Sequence, residues 1–238
     1  MGQTFFRSNG FGEMFYAFTM SDWLGKSVCV VLLLVSVVIC SLVVEKIISL
    51  RSARKNSGAF LQDLLGAENL FELRKTARKT MSPAGEVYLA AVDRFKTFDA
   101  VLPDKTCRPL TEKEVGLLRT TMERSVEDQL LFLEKRTMIL ASAIGVCPFL
   151  GLFGTVWGIT VAFSRLAQAG RADVQTLAPG VSGALLTTVL AIFVVIPAML
   201  GSNYIASLLR DTAAILDDAV EEIVARFQME FMLDRDSR

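Results

Sequence analysis

The chain has 238 residues, of which 52% are hydrophobic and 21% are charged, and its formal net charge is zero. A zero net charge argues against a nucleic-acid partner, because such partners usually leave a basic surface on the protein. The sequence has no histidine, and its four cysteines form no CxxC pair. The commonest general base and the usual zinc and disulfide patterns are therefore missing. We expect no enzyme activity, no cofactor and no metal.

Residues 1–24 are rich in phenylalanine and include Tyr16 and Trp23 beside a long apolar stretch. Aromatic side chains in such a position usually lie in the headgroup layer of a membrane. This segment is predicted to form a short interfacial helix, and a disordered tail is the alternative.

Three stretches carry no charged residue, namely 27–44, 137–164 and 174–209. Each has at least the ~18 residues that a membrane-spanning helix needs. We predict transmembrane helices over residues 25–45, 137–164 and 176–209. The first is rich in valine and leucine and lacks a basic segment before it, so it is interpreted as a retained, lipid-facing helix rather than a cleaved signal.

The distribution of lysine and arginine predicts the orientation. Eight basic residues lie within 46–79, whereas only Arg7 and Lys26 come before the uncharged stretch 27–44. By the positive-inside rule, residues 1–24 are periplasmic, 46–136 form a cytoplasmic loop, 165–175 a short periplasmic turn and 210–238 a cytoplasmic helix. Arg165 and Arg171 lie on the side that the rule disfavours. The predicted fold is an all-α integral membrane protein with long cytoplasmic helical extensions.

Two helix starts are visible in the cytoplasmic loop. Ser82 followed by Pro83 is a start signal for a helix that ends near Phe98. Thr111 and Glu114 have the spacing of a capping box. The helix that follows has an apolar face of Val115, Leu118, Met122, Val126, Leu130 and Leu133. We expect this helix to continue directly into the second span.

The tail shows the same helical period, which predicts a helix that extends the third span into the cytoplasm. Its apolar face consists of Ala214, Leu216, Val220, Ile223, Val224, Phe227 and Phe231. This face needs a partner, which is either the loop helices or a neighbouring subunit.

The second and third spans differ from the first because they carry small residues at helical spacing. Small residues let helix backbones approach closely where no hydrophobic force drives association. The positions predicted to pack the helices are Gly151, Gly154, Gly158, Gly180, Ala184, Pro179 and Pro197. Pro179 suits a first helical turn, and Pro197 predicts a kink, with a hinge as the alternative. The hydroxyls on the same faces either bond across the helices or line a hydrated path.

Neither of these two spans contains Asp, Glu, Lys, Arg or His. A proton pathway normally needs an ionisable group within the membrane. If this protein conducts protons, a partner must supply the titrating carboxylate.

The sequences GLFGTVWGITVAF at 151–163 and LAPGVSGALLTTVLAIFVVIPAM at 177–199 resemble the TolQ/ExbB/MotA proton-channel family, and the three-span layout is closest to its TolQ/ExbB branch. The resemblance implies a homopentamer with an oligomeric pore in a bacterial inner membrane. It also implies a dimer of a single-span TolR/ExbD-type partner that carries the membrane aspartate, and a possible TonB- or TolA-type protein.

The family's two pore threonines match Thr155 and Thr188, and we include Ser182, Gly183 and Thr187 in the predicted proton path. TolQ and ExbB commonly carry a glutamate four residues after the proline of the APG motif, where this chain has Gly183. This departure leaves open whether the coupling ion is H+ or Na+.

The resemblance implies a stator subunit of a motor driven by the proton motive force, for TonB-dependent import or Tol–Pal function. A gliding or secretion motor would use the same chemistry. The other hypothesis is a membrane scaffold whose small-residue faces serve packing alone. An independent transporter lacks support, because no inverted repeat is visible.

Overall fold

A computed structural model describes residues 10–67, 73–98, 110–169 and 174–232. Over these residues the chain forms seven helices and no strand. The helices are α1 Gly10–Met20, α2 Trp23–Gly66, α3 Leu73–Thr80, α4 Pro83–Lys96, α5 Glu112–Glu134, α6 Thr137–Ala169 and α7 Val174–Met232. The all-helical fold class is confirmed for this part of the chain.

Three of these helices, α2, α6 and α7, are long and apolar enough to cross a membrane, by length and composition. They contain the three stretches without charge. Helix α2 continues past the predicted span to Gly66, and α7 runs for 59 residues to Met232. The prediction that the tail extends the third span as a helix is therefore confirmed. Pro179 and Pro197 both lie within α7 and do not end it.

The chain divides into two compact units. The first comprises the described residues within Met1–Val44 and Arg136–Asn203, and the second those within Glu45–Lys135 and Tyr204–Arg238. The first unit contains α1, α6, the start of α2 and the apolar part of α7. The second contains α3, α4, α5 and the polar parts of α2 and α7.

The core of the second unit contains most of the apolar face of the tail, whereas Ala214, which was predicted to belong to that face, is exposed. Phe227 packs against Phe95 of α4 with the two rings tilted and their centroids 5.2 Å apart. The ring centroids of Phe60 on α2 and Tyr88 on α4 are 5.6 Å apart. The tail residues Leu216, Val220, Ile223, Val224 and Phe227 are all buried in this core. Of the two partners expected for the tail, the loop helices are therefore the ones found, while Phe231 lies outside the side chains described.

Arg226 ties the end of α7 to the end of α2 in this unit. Its guanidinium donates to the carbonyl oxygens of Leu65 and Ala67, each at 2.6 Å, and forms an ion pair with Glu222 at 2.9 Å. The last carbonyls of a helix have no partner within the helix, so a guanidinium that takes two of them caps α2.

Both predicted helix starts are confirmed. The Ser82 hydroxyl accepts from the Gly85 amide at 3.1 Å, with Pro83 in the first turn of α4. In the capping box, the Glu114 amide donates to the Thr111 hydroxyl at 3.4 Å and the Thr111 amide donates to the Glu114 carboxylate at 2.9 Å. Helix α4 ends at Lys96, close to the expected Phe98.

Thr111→Ala should loosen the first turn of α5, because the Glu114 amide loses its acceptor. An N-cap of this kind is worth about 1 kcal/mol. Hydrogen exchange of the amides in this turn should therefore become about fivefold faster. Thr120→Ala is the matched control, since its hydroxyl only donates to the Gly116 carbonyl within the same helix. Equal exchange rates in both variants would contradict the cap.

The prediction that α5 continues directly into the second span is wrong. Helix α5 ends at Glu134, Lys135 has φ −50° and ψ 135°, and Arg136 has φ 72° before α6 begins at Thr137. The Lys46 ammonium donates to the Leu133 carbonyl at 2.8 Å. In a continuous helix this carbonyl would accept from the Thr137 amide. Lys46 thus takes the carbonyl of Leu133, which the Thr137 amide would need if α5 continued into α6.

Candidate functional site

Three glycines of α6 form the closest contact with α7 in the first unit. A Cβ atom on Gly151 would lie 2.5 Å from Cβ of Ala191, and one on Gly158 would lie 2.6 Å from Cβ of Ala184. A Cβ on Gly154 would lie 2.5 Å from Oγ1 of Thr187. Because real Cβ atoms do not approach neighbours so closely, glycine at these positions allows the two backbones to pack together.

The same contact continues toward the start of α7. A Cβ on Gly180 would lie 2.9 Å from Cβ of Ala162, which is buried. Ala184 is also buried, Pro179 is half-buried and Pro197 is exposed. The structure therefore brings Gly180 and Ala184 to the α6 contact, and places Pro197 on an exposed face of α7.

Three threonine hydroxyls surround the carbonyl oxygen of Gly151. The Thr188 hydroxyl donates to it at 3.1 Å and the Thr187 hydroxyl at 3.0 Å. The Thr155 hydroxyl lies 3.3 Å from the same oxygen, and 2.7 Å from the Leu152 carbonyl. Thr155 and Thr188 are also 3.3 Å apart, oxygen to oxygen. Each hydroxyl has one proton and two lone pairs. The hydroxyls of this small cluster can therefore change which of them donates and which accepts.

The three threonines differ in their exposure. Thr187 is fully buried and Thr155 is 8% exposed, whereas Thr188 is half-buried. The Thr187 hydroxyl also lies 2.7 Å from the Ala184 carbonyl oxygen, so its single proton is shared between two carbonyls of the helix packing. Thr188 is thus the threonine of α7 that contacts Thr155 and keeps an accessible surface. Ser182 is exposed on α7.

Gly183 lies against the corner between α1 and α2. A Cβ on Gly183 would be 2.9 Å from Cα of Ser21 and 3.0 Å from the carbonyl oxygen of Ala17. Both contacts involve backbone atoms, which cannot move aside as a flexible side chain can. A longer residue at this position, such as glutamate, would require the corner to shift.

A hydrogen bond that the sequence reasoning missed joins this corner to α6. The indole Nε1 of Trp157 donates to Oδ2 of Asp22 at 2.9 Å. The other oxygen, Oδ1, accepts from the Gly25 amide at 3.1 Å at the start of α2. An aspartate immediately before a helix is a visible capping signal. Nothing in the sequence pattern connects it to a tryptophan 135 residues away.

The cluster can bond water and pass a proton along hydroxyl groups, but it cannot hold a charge at neutral pH. The stretches 137–164 and 174–209, which include the cluster, contain no Asp, Glu, Lys, Arg or His. A close glycine contact between two long apolar helices, with a threonine cluster at its centre, defines a multi-pass membrane protein with a polar site inside its helix packing.

Comparison with known proteins identifies the family. Residues 82–218 match the model of the MotA/TolQ/ExbB proton channel family, a span that covers more than half of the 238 residues. The chain belongs to this family, which is described as a proton channel family and not as an enzyme family.

Relatives named TolQ and relatives named ExbB are similar to this chain over most of their length. The Tol-Pal system protein TolQ of Haemophilus influenzae is 29% identical over 179 residues, which cover 74% of this chain and 76% of the relative. The biopolymer transport protein ExbB of Neisseria meningitidis is 29% identical over 180 residues, covering 75% and 80%. TolQ of Pseudomonas aeruginosa is 31% identical over 157 residues, covering 65% and 66%. The resemblance to the TolQ/ExbB branch is confirmed.

Proposed function

We propose that this chain is the pore-forming stator subunit of an inner-membrane motor driven by the proton motive force. The observation that carries the proposal is the Thr155–Thr188 contact, at 3.3 Å, between the uncharged stretches 137–164 and 174–209 of two long helices. The family supports it independently, because its members are described as proton channels. Thr155 and Thr188 would line the ion path, and Thr187, with its hydroxyl bonded to Gly151, would hold the path's two helices together.

The pore is proposed to form between copies of this chain, as a homopentamer in which α6 and α7 face the axis. Both helices expose large apolar side chains, among them Phe149, Phe153 and Phe193, which need lipid or another subunit as their partner. The N-terminus is proposed to be periplasmic and the C-terminus cytoplasmic, as the basic residues of 46–79 favour.

The uncharged stretches of α6 and α7 lack a titrating carboxylate. We propose that a dimer of a single-span protein of the TolR/ExbD type supplies it. A hydroxyl-lined path needs a group that binds and releases the proton, and an aspartate on the partner helix would serve. A TonB- or TolA-type protein would transmit the force. The driven process would be TonB-dependent import or Tol–Pal function, and gliding or secretion are the alternatives. With Gly183 at the family's acidic position, Na+ coupling is the alternative to H+.

Co-expression with a single-span protein of the TolR/ExbD type from the same organism tests the assembly. Purification in a mild detergent, followed by native mass spectrometry, should give five copies of this chain with two of the partner. A non-conducting scaffold would also associate with other proteins, so the stoichiometry and the partner's identity are the informative results. Recovery of this chain only as a monomer, without the partner, would refute the proposal.

A further inference from the structure

Asp22 has both carboxylate oxygens engaged within the first unit. Oδ1 accepts from the Gly25 amide at 3.1 Å and Oδ2 accepts from the Trp157 indole at 2.9 Å. The first bond belongs to the start of α2, where an aspartate caps the free amides of the first turn. The second bond is not needed for that cap. It joins the α1–α2 corner to the helix that carries Thr155.

Trp157 lies two residues beyond Thr155 on α6. Two residues rotate by about 200° around a helix, so the two side chains lie on nearly opposite faces. Thr155 is buried against α7, and Trp157 is 40% exposed on the other side. Helix α6 is therefore held on one face by the glycine and threonine contact, and on the opposite face by Asp22. Rotation of α6 about its axis would break both.

The α1–α2 corner also contacts α7 at Gly183. The backbone of Ala17 and Ser21 lies 2.9–3.0 Å from the place of a Cβ on this glycine. Ser21 directly precedes Asp22, and the Ser21 amide donates to the Ala17 carbonyl at 3.1 Å. One short segment, residues 17–22, thus touches both helices of the proposed path. The Asp22–Trp157 bond joins this segment to α6, so the segment links the positions of the two helices.

We propose that Asp22 is a positioning residue for the ion path. This inference rests on the proposed function, since it assigns Asp22 a role toward the Thr155–Thr188 pair. Through the Trp157 indole, Asp22 sets the rotation of α6 and so keeps the Thr155 hydroxyl within reach of Thr188. The carboxylate does not itself carry the ion.

Asp22→Ser should remove the bond to Trp157 and keep the cap at the start of α2. Serine is as good a helix cap as aspartate, but its short hydroxyl does not reach the indole. The chain has two tryptophans, so Trp23→Phe leaves Trp157 as the single indole. In the ¹⁵N-labelled complex, Asp22→Ser should move the indole N–H signal of Trp157 and speed its exchange with water. Proton flux through the complete complex should fall about tenfold or more, because small misplacements of reacting groups have effects of this size.

Trp157→Phe should reproduce the loss of flux, since it removes the donor and keeps a ring. The double variant should be no worse than either single one, as expected when two residues act through one bond. Trp23→Phe is the matched control, because Trp23 is 76% exposed, and it should conduct normally. Full flux in Asp22→Ser, or an unchanged indole signal, would overturn the inference.

Failure of the proposed function gives a different pattern. If the wild-type complex conducts no protons, the proposed function fails, and the role of Asp22 in it fails as well. If wild type conducts, Thr188→Val does not, and Asp22→Ser conducts fully, then only the inference about Asp22 is wrong. The indole signal reports the hydrogen bond in either case.

Discussion

Thr188→Val is expected to abolish proton flux through the complex of this chain and its partner, while leaving the complex itself intact. Valine has nearly the shape of threonine, so the contact between α6 and α7 should keep its packing. The variant loses the hydroxyl that donates to the Gly151 carbonyl at 3.1 Å and that lies 3.3 Å from Thr155. A path that depends on hydroxyls for water and proton contacts is then interrupted at its centre. Flux into liposomes that contain the co-purified complex is the measurement.

Three further variants serve as controls for Thr188→Val. Thr188→Ser restores the hydroxyl and should restore flux. Thr160→Val removes an exposed hydroxyl that only donates to the Val156 carbonyl of its own helix, and should have no effect. Thr187→Val removes a buried hydroxyl that bonds α7 to α6, so it should lower the free energy of unfolding by about 1 kcal/mol. Full flux in Thr188→Val would contradict a threonine-lined path.

Gly158→Leu is expected to separate α6 from α7 and prevent assembly. Even the first atom of the new side chain would lie 2.6 Å from Cβ of Ala184 and 3.1 Å from its Cα. Overpacking of a close contact costs about 1–3 kcal/mol, and here the obstacle includes a helix backbone. The threonine cluster depends on the same close approach. The variant should therefore lose both its thermal stability in detergent and its oligomeric state.

Gly145→Leu is the matched control on the same helix. A Cβ on Gly145 has no atom within 4 Å, so leucine fits there without a clash. Both variants replace glycine by leucine within α6, which makes their change in helix propensity the same. Unfolding midpoints and native masses of the two variants should differ clearly. Similar behaviour of both would show that the glycine contact does not hold the helices together.

Much of the architecture follows from the sequence, because it depends on local or periodic signals. The absence of charge over 27–44, 137–164 and 174–209 gave the three apolar helices. The capping box at Thr111 and the start at Ser82 need only residues three or fewer positions apart. The period of the tail identified the face that packs in the second unit's core.

Features that depend on contacts distant in sequence could not be predicted. The end of α5 has neither proline nor glycine. The break at Arg136 accompanies a hydrogen bond from Lys46 to the Leu133 carbonyl, and these two residues are 87 positions apart. The Asp22–Trp157 bond and the contact of Gly183 with Ser21 also join residues that are far apart in the sequence. The pattern also could not separate Thr187 from Thr188. They are neighbours on α7, and only the position of α6 decides which one is buried.

The central claim is that this chain provides a hydroxyl-lined wall and that a partner provides the titrating carboxylate. Proton flux into liposomes tests it most directly, in three preparations: this chain alone, the single-span partner alone, and the two together. We expect flux driven by a membrane potential only when both proteins are present. Equal flux from this chain alone, or no flux from the complete complex, would contradict the claim.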